Sequence, residues 1–308
     1  MKGFKPAIFL RGMAMGAADI VPGVSGGTIA FITGIYDELI ESLTSFNLQA
    51  VRVLRQQGIG ALWRHVNGGF LLSLVTGVLI AALSLAKAIS YALEHHPVPL
   101  AGFFFGLVLA SAILIYRQIP ERTVVTLVLL ILGAGVAIGI GEVRPASIAV
   151  TPLSLFLAGA VAICAMILPG ISGSFILLLI GMYGPVIDAI KSMDLLAIAL
   201  FGAGCATGLM LFVRLLSWLL HHYHGALLSF LSGLLIGSLS IIWPWKLDSV
   251  GQAGGLGSGL ELANSWPWHY AEVADAHLLL TGFLAAFGVI LVLAIERLAG
   301  HKQSAVGE

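Results

Sequence analysis

Apolar positions along the chain gather into long blocks separated by short polar stretches, and two of these blocks are interrupted from within. Residues 15–43, MGAADIVPGVSGGTIAFITGIYDELIESL, form an apolar run broken near its middle by Pro-Gly-x-Ser-Gly. Residues 162–190, AICAMILPGISGSFILLLIGMYGPVIDAI, repeat the pattern. A shift of 147 positions aligns Pro22 with Pro169, Gly23 with Gly170, Ser25 with Ser172, Gly26 with Gly173, Gly34 with Gly181 and Tyr36 with Tyr183. Proline removes a backbone donor and clashes with the preceding turn, and the glycines after it let the chain change direction, so no helix runs through. Each block is expected to be one broken helix that enters and leaves a membrane on the same side.

The uninterrupted blocks predict six spans, over residues 70–93, 100–115, 124–140, 195–220, 227–243 and 278–295. Residues 46–67 mix Leu48, Val51, Leu54, Ile59 and Trp63 with Arg52, Arg55 and Arg64, which predicts an amphipathic piece at headgroup level rather than a span. Residues 244–276 predict a glycine-rich, mostly polar loop. The internal similarity extends past the breaks: Thr76-Gly77 matches Thr207-Gly208, and Gly106 to Ser111 matches Gly233 to Ser238. Each half is then one re-entrant hairpin followed by three spans, and three crossings insert the second half upside down. The expected fold is all-α, a polytopic integral membrane protein, with one membrane domain over 1–308 built of inverted repeats 12–142 and 150–300.

Composition removes the soluble alternative, with 59% apolar residues, 10% charged and a mean hydropathy of +1.03. Net charge is zero, so no nucleic-acid partner is expected. The N-terminal apolar segment runs straight into the first break, unlike a cleavable signal peptide. With the N-terminus in the cytoplasm, ten basic residues fall inside: Lys2, Lys5, Arg11, Arg52, Arg55, Arg64, Arg117, Arg122, Arg297 and Lys302. Arg144, Lys191 and Lys246 fall outside, and Lys87 and Arg214 lie within spans. This follows the positive-inside rule, with both termini cytoplasmic, and favours re-entrant over fully crossing broken segments.

The breaks carry the chemistry. Ser25, Gly26, Gly27 and Thr28, with Ser172, Gly173 and Ser174, are expected to open the second half of each broken helix. A helix start offers unpaired N–H groups and the positive dipole end, and small residues let an anion approach. Two such starts meeting near the midplane would hold one phosphate or carboxylate. The plainer alternative is that these small residues only allow close helix packing. Arg214 could pair bidentately with a phosphate or simply snorkel to the headgroups, and Lys87 is read as snorkelling. Asp19 could take a coupling proton, pair with Arg11 or Arg214, or hold the hairpin's backbone donors. Glu41 and Asp188 occupy matching positions and are placed, with Asp37 and Glu38, at the interfaces; Arg11, Asp19, Glu38, Glu41 and Asp188 form the candidate coupling and gating set.

Gly23-Val-Ser25-Gly-Gly27 also fits the G-x-S-x-G nucleophile elbow, but its flanks are apolar helix formers and the second copy breaks the pattern with Ser174. No catalytic residue is assigned. Most of the nine histidines cluster at span ends, and Cys164 and Cys205 read as small buried hydrophobes, with a disulfide or a metal site the lesser alternative, so no metal or cofactor is assigned.

The run Gly16-Ala-Ala-Asp19-Ile-Val-Pro22-Gly-Val-Ser25-Gly-Gly-Thr28, with Leu168-Pro-Gly-Ile-Ser172-Gly-Ser174, resembles the bacterial polyprenyl-phosphate transporter family over almost the whole chain. The resemblance implies a protein of the bacterial cytoplasmic membrane that returns undecaprenyl phosphate from the outer to the inner leaflet. It implies membrane lipids as surroundings, and a homodimer is one possible assembly. A half-helix pocket would lower the cost of burying the charged head while the tail stays in lipid. Two other classes stay open: an enzyme acting on a lipid phosphate, and a small-anion channel.

Overall fold

In the computed structural model the described residues are 4–21, 24–142, 148–248, 251–254 and 262–304, without the side chains of residues 86 and 298–304. Pro22 and Gly23 of the first break, Lys2, Arg144, the middle of the glycine-rich loop and the Lys302 side chain lie outside them.

The first interrupted block forms α1 (Pro6–Asp19), α2 (Gly26–Ile32) and α3 (Tyr36–Thr44). Then come α4 (Leu48–Gln57), α5 (Ile59–His65), α6 (Gly68–His95), α7 (Pro97–Arg117) and α8 (Val124–Glu142). The second block forms α9 (Pro152–Ile167), α10 (Gly173–Leu179) and α11 (Tyr183–Lys191). It is followed by α12 (Leu195–His222), α13 (His224–Ile241), the strands β1 (Lys246–Asp248), β2 (Ala253–Gly254) and β3 (Leu262–Asn264), α14 (Pro267–Tyr270) and α15 (Leu278–Ser304).

The ends of these helices follow from local chemistry. Proline opens α1, α7 and α9, where its missing N–H costs nothing. Thr151 and Ser154 close a capping box on α9, and the carboxylate of Asp194 accepts from Leu196 N and Ala197 N at the start of α12. Leu168, ahead of Pro169, turns extended at φ −68°, ψ 129°, because the proline ring disfavours helix in its predecessor.

Each interrupted block has one break more than its motif announces. After α2 the chain turns at Gly34 (φ +67°), and after α10 at Gly181 (φ +70°), left-handed positions that favour glycine. At the second of these α10 and α11 diverge by 108°. The blocks are therefore three-helix units, not simple two-part hairpins.

Among the described residues six helices are long and apolar enough to cross a membrane: α6, α7, α8, α12, α13 and α15. With their outward faces lined by residues such as Leu79, Leu83, Val128, Leu211 and Leu279, they make an integral membrane protein. Pairing is by small residues. Gly12 of α1 lies against the Leu74 carbonyl of α6, and Gly159 of α9 against the Phe201 carbonyl of α12. Gly106 of α7 faces Ala285 of α15, and Gly233 of α13 faces Leu130 of α8. The buried helices α7 and α13 also pack on each other at the centre.

The stretch expected to be a glycine-rich, mostly polar loop after α13 folds further. β1 pairs antiparallel with both β2 and β3 in the order β2-β1-β3. Trp243 Nε1 donates to the Ser265 carbonyl (2.8 Å) and Trp245 Nε1 to the Ala276 carbonyl (3.0 Å), which fastens the sheet over the helix ends.

Candidate functional site

The two breaks meet. Pro169 has no N–H to give the carbonyl four residues earlier, and the end of α9 leaves further acceptors without helical partners. The first break supplies donors to two of the latter. Ser25 Oγ donates to the carbonyls of Met166 and Leu168, 3.0 Å from each, and accepts from Gly27 N (3.1 Å). The Gly170 N–H, which a continuous helix would give to Met166, goes instead to Thr28 Oγ1 (3.0 Å). Gly27 is close enough to Ile167 that a methyl group there would strike its carbonyl oxygen. Ser25 and Thr28 are fully buried, as backbone pairing inside an apolar layer requires.

At the start of α2 the carboxylate of Asp19 accepts from Gly26 N at 2.6 Å, a charge-assisted bond seated where an anion favours the helix dipole. Gly26 has no side chain to obstruct it: a Cβ would lie 2.6 Å from the carboxylate. Of the roles open to Asp19, the structure places it on the hairpin's own donors, not against Arg11 or Arg214. The expectation of free N–H groups at this start is accordingly corrected. Gly26 N, Gly27 N and Thr28 N are held by Asp19, Ser25 Oγ and the Ser25 carbonyl.

The second break is closed more locally. Ser172 is buried and its hydroxyl shares a 2.8 Å hydrogen bond with Ser174. Gly173 packs on α9, where a Cβ would lie 2.6 Å from the Ala162 carbonyl oxygen.

The remaining candidates are scattered. Arg214 is exposed on α12 and makes no hydrogen bond or ion pair among the described residues, so the structure does not bring it to the breaks. The apolar helix it stands on offers it no buried partner, and its long stem reaches outward. Arg11 is half-buried on α1. Glu38 accepts from Lys5 Nζ (3.0 Å) and Asn67 Nδ2 (2.9 Å), joining α3 to the starts of α1 and α6; sequence reasoning missed this clamp because the three residues are far apart in the chain. Glu41 and Asp188 are exposed at matching places on α3 and α11. Outside the spans, burial pushes the Lys246 ammonium down to about 8, opposed in part by the Glu142 carboxylate.

Comparison with known proteins bears on this arrangement. Residues 15–254, which contain both breaks, match the family described as undecaprenyl phosphate translocase-like. The chain belongs to that family. A member from Vibrio cholerae serotype O1, named polyprenyl-phosphate transporter, is 46% identical over 295 residues, covering 94% of this chain and 96% of its own. One of the same name from Staphylococcus aureus is 32% identical over 263 residues, covering 79% and 88%. No solved structure matches the chain.

Proposed function

We propose that this protein carries a polyprenyl phosphate, undecaprenyl phosphate foremost, between the leaflets of the bacterial cytoplasmic membrane. The observation that carries the reading is the meeting of the two breaks inside a bundle of apolar helices, in a chain whose relatives are named polyprenyl-phosphate transporters. The phosphate is received at Ser25, Gly26, Gly27 and Thr28 and at Ser172, Gly173 and Ser174. Asp19 keeps the first of these starts occupied by an anion until the lipid head replaces it, so no bare amide faces lipid between turnovers. The tail stays in the bilayer beside the groove. Arg11, Glu38, Glu41 and Asp188 act in gating at the ends of the segments, and Arg214 serves at headgroup level.

The scaffold is read as an inverted repeat, 12–142 and 150–300 of one membrane domain, with both termini cytoplasmic. Packing supports it: α1 on α6 is matched by α9 on α12, and α7 on α15 by α13 on α8, with α7 against α13 as the self-matched pair. Rocking of one repeat against the other would alternate access.

Liposomes containing the purified protein test the function. Leaflet transfer of unchanged polyprenyl phosphate is the expected outcome; phosphate release would make the protein an enzyme, and ion flux without lipid movement a channel. Gly26→Ala, whose methyl group intrudes on the seat that Asp19 yields to the phosphate, should slow transfer about tenfold or more by denying the lipid head a charge-assisted bond there, while leaving insertion intact.

A further inference from the structure

The breaks match in sequence but not in bonding. Ser25 reaches across to the carbonyls of Met166 and Leu168, whereas among the described residues the hydroxyl of its counterpart Ser172 bonds only Ser174. The imbalance recurs further along. Tyr36 is 2% exposed and its counterpart Tyr183 is 39% exposed. The helix carrying Tyr36, α3, packs across onto α12, with Thr44 Oγ1 3.5 Å from the Val213 carbonyl, while α11 packs on α12 within its own half. Three matched pairs are thus unequal in one sense: the first interrupted block is shut against the second half, and the second block is not shut against the first.

Two repeats that are alike in sequence and unlike in conformation define a second state, in which each adopts the other's arrangement. We propose that Ser172 is the positioning residue of that state: its hydroxyl leaves Ser174 and donates to the carbonyls of Asp19 and Val21, the counterparts of Met166 and Leu168, as Ser25 lets go. The structure described here is then shut on the side of α3 and open on the side of α11. This rests on the inverted-repeat reading above. The exchange is uneven, because Phe175 stands where the first half has Thr28, so the Thr28 bond to Gly170 has no counterpart. The second state crosses the breaks with one hydroxyl instead of two, which makes Ser172 its principal tie.

Single cysteines in place of Tyr36 or Tyr183, in a Cys164→Ala, Cys205→Ala background, report the two states through maleimide labelling in nanodiscs free of polyprenyl phosphate. Residue 183 is expected to label faster than residue 36. Ser25→Ala should move the ratio of the two rates about tenfold toward residue 36, the weight of one hydrogen bond. Adding Ser172→Ala should move it back, and Ser172→Thr, which keeps the hydroxyl, should not. A general loosening would raise both rates together and overturn the inference, as would a Ser172→Ala change that shifts the ratio in the same direction as Ser25→Ala. Because no lipid is present, a ratio that moves as stated in a protein that fails to transfer lipid would refute the transport reading alone. A transferring protein whose ratio does not move would refute this inference alone.

Discussion

Ser25 shows how one residue can serve two broken helices. Its hydroxyl caps α2 and at the same time satisfies the Met166 and Leu168 carbonyls that the break leaves without helical donors at the end of α9, so a defect in one half is repaired by a side chain of the other. An unsatisfied carbonyl in an apolar layer costs about 1–3 kcal/mol, enough to hold the breaks together. Arg214 is the opposite case, charged and deep in its segment yet outward-facing and, among the described residues, without a partner. The expected outcome is that Arg214→Lys transfers lipid at the wild-type rate, since both charged stems snorkel alike, and that Arg214→Gln, purified and well folded, binds polyprenyl phosphate within about twofold of wild type, since the side chain holds no ligand. A binding measurement showing a loss of tenfold or more in Arg214→Gln would restore a ligand role. The motif residues were legible in the sequence because Pro-Gly-x-Ser-Gly occurs twice. The acceptors of Ser25 were not, since they are backbone carbonyls and carry no residue signature. Asp19 was legible only as an acid beside the break, because its choice among donors depends on how the hairpin closes.

At the level of elements, the six spans and the amphipathic pair α4 and α5 were readable from hydropathy alone, with ends shifted by a few residues. The turns at Gly34 and Gly181 were visible as an aligned pair but silent, because glycine in an apolar run is equally a packing residue. The sheet β1 to β3 escaped because strands of two or three residues have no measurable alternation. Its central strand carries Lys246, half-buried, with its ammonium held down to about 8 from an ordinary 10.5 by that burial. Between those values the folded protein has lost the proton that the unfolded chain still binds, so stability rises with pH from about 8 to 10.5 and is flat in this term below. Lys246→Met should raise the thermal midpoint at pH 7 by a few degrees and remove that rise. Melting curves at pH 7, 8, 9 and 10 check both, and an unchanged slope in the variant would place the titration elsewhere.

For the whole molecule, the pairings were beyond reach of the sequence. In lipid every face of a span can be apolar, so periodicity does not say which neighbour covers it; Gly106, Gly133, Gly233 and Gly288 mark the contacts only once the partners are known. Orientation is a separate matter and rests on charge. From Ser42 to Leu93 the chain has no acidic residue, while Arg52, Arg55 and Arg64 stand exposed on or beside α4 and α5, which favours the cytoplasmic side. Three crossings separate this region from the second interrupted block, and five from the sheet, so the proposed inverted repeat requires the sheet to face the opposite side. Cysteines at Arg55 and at Trp266, both exposed, should therefore label from opposite sides with a membrane-impermeant reagent: Trp266→Cys in intact cells, Arg55→Cys only after the membrane is opened. Labelling of both from the same side would mean an even number of crossings between them. The two halves would then not be related as inverted repeats, and the breaks could not enter from opposite faces.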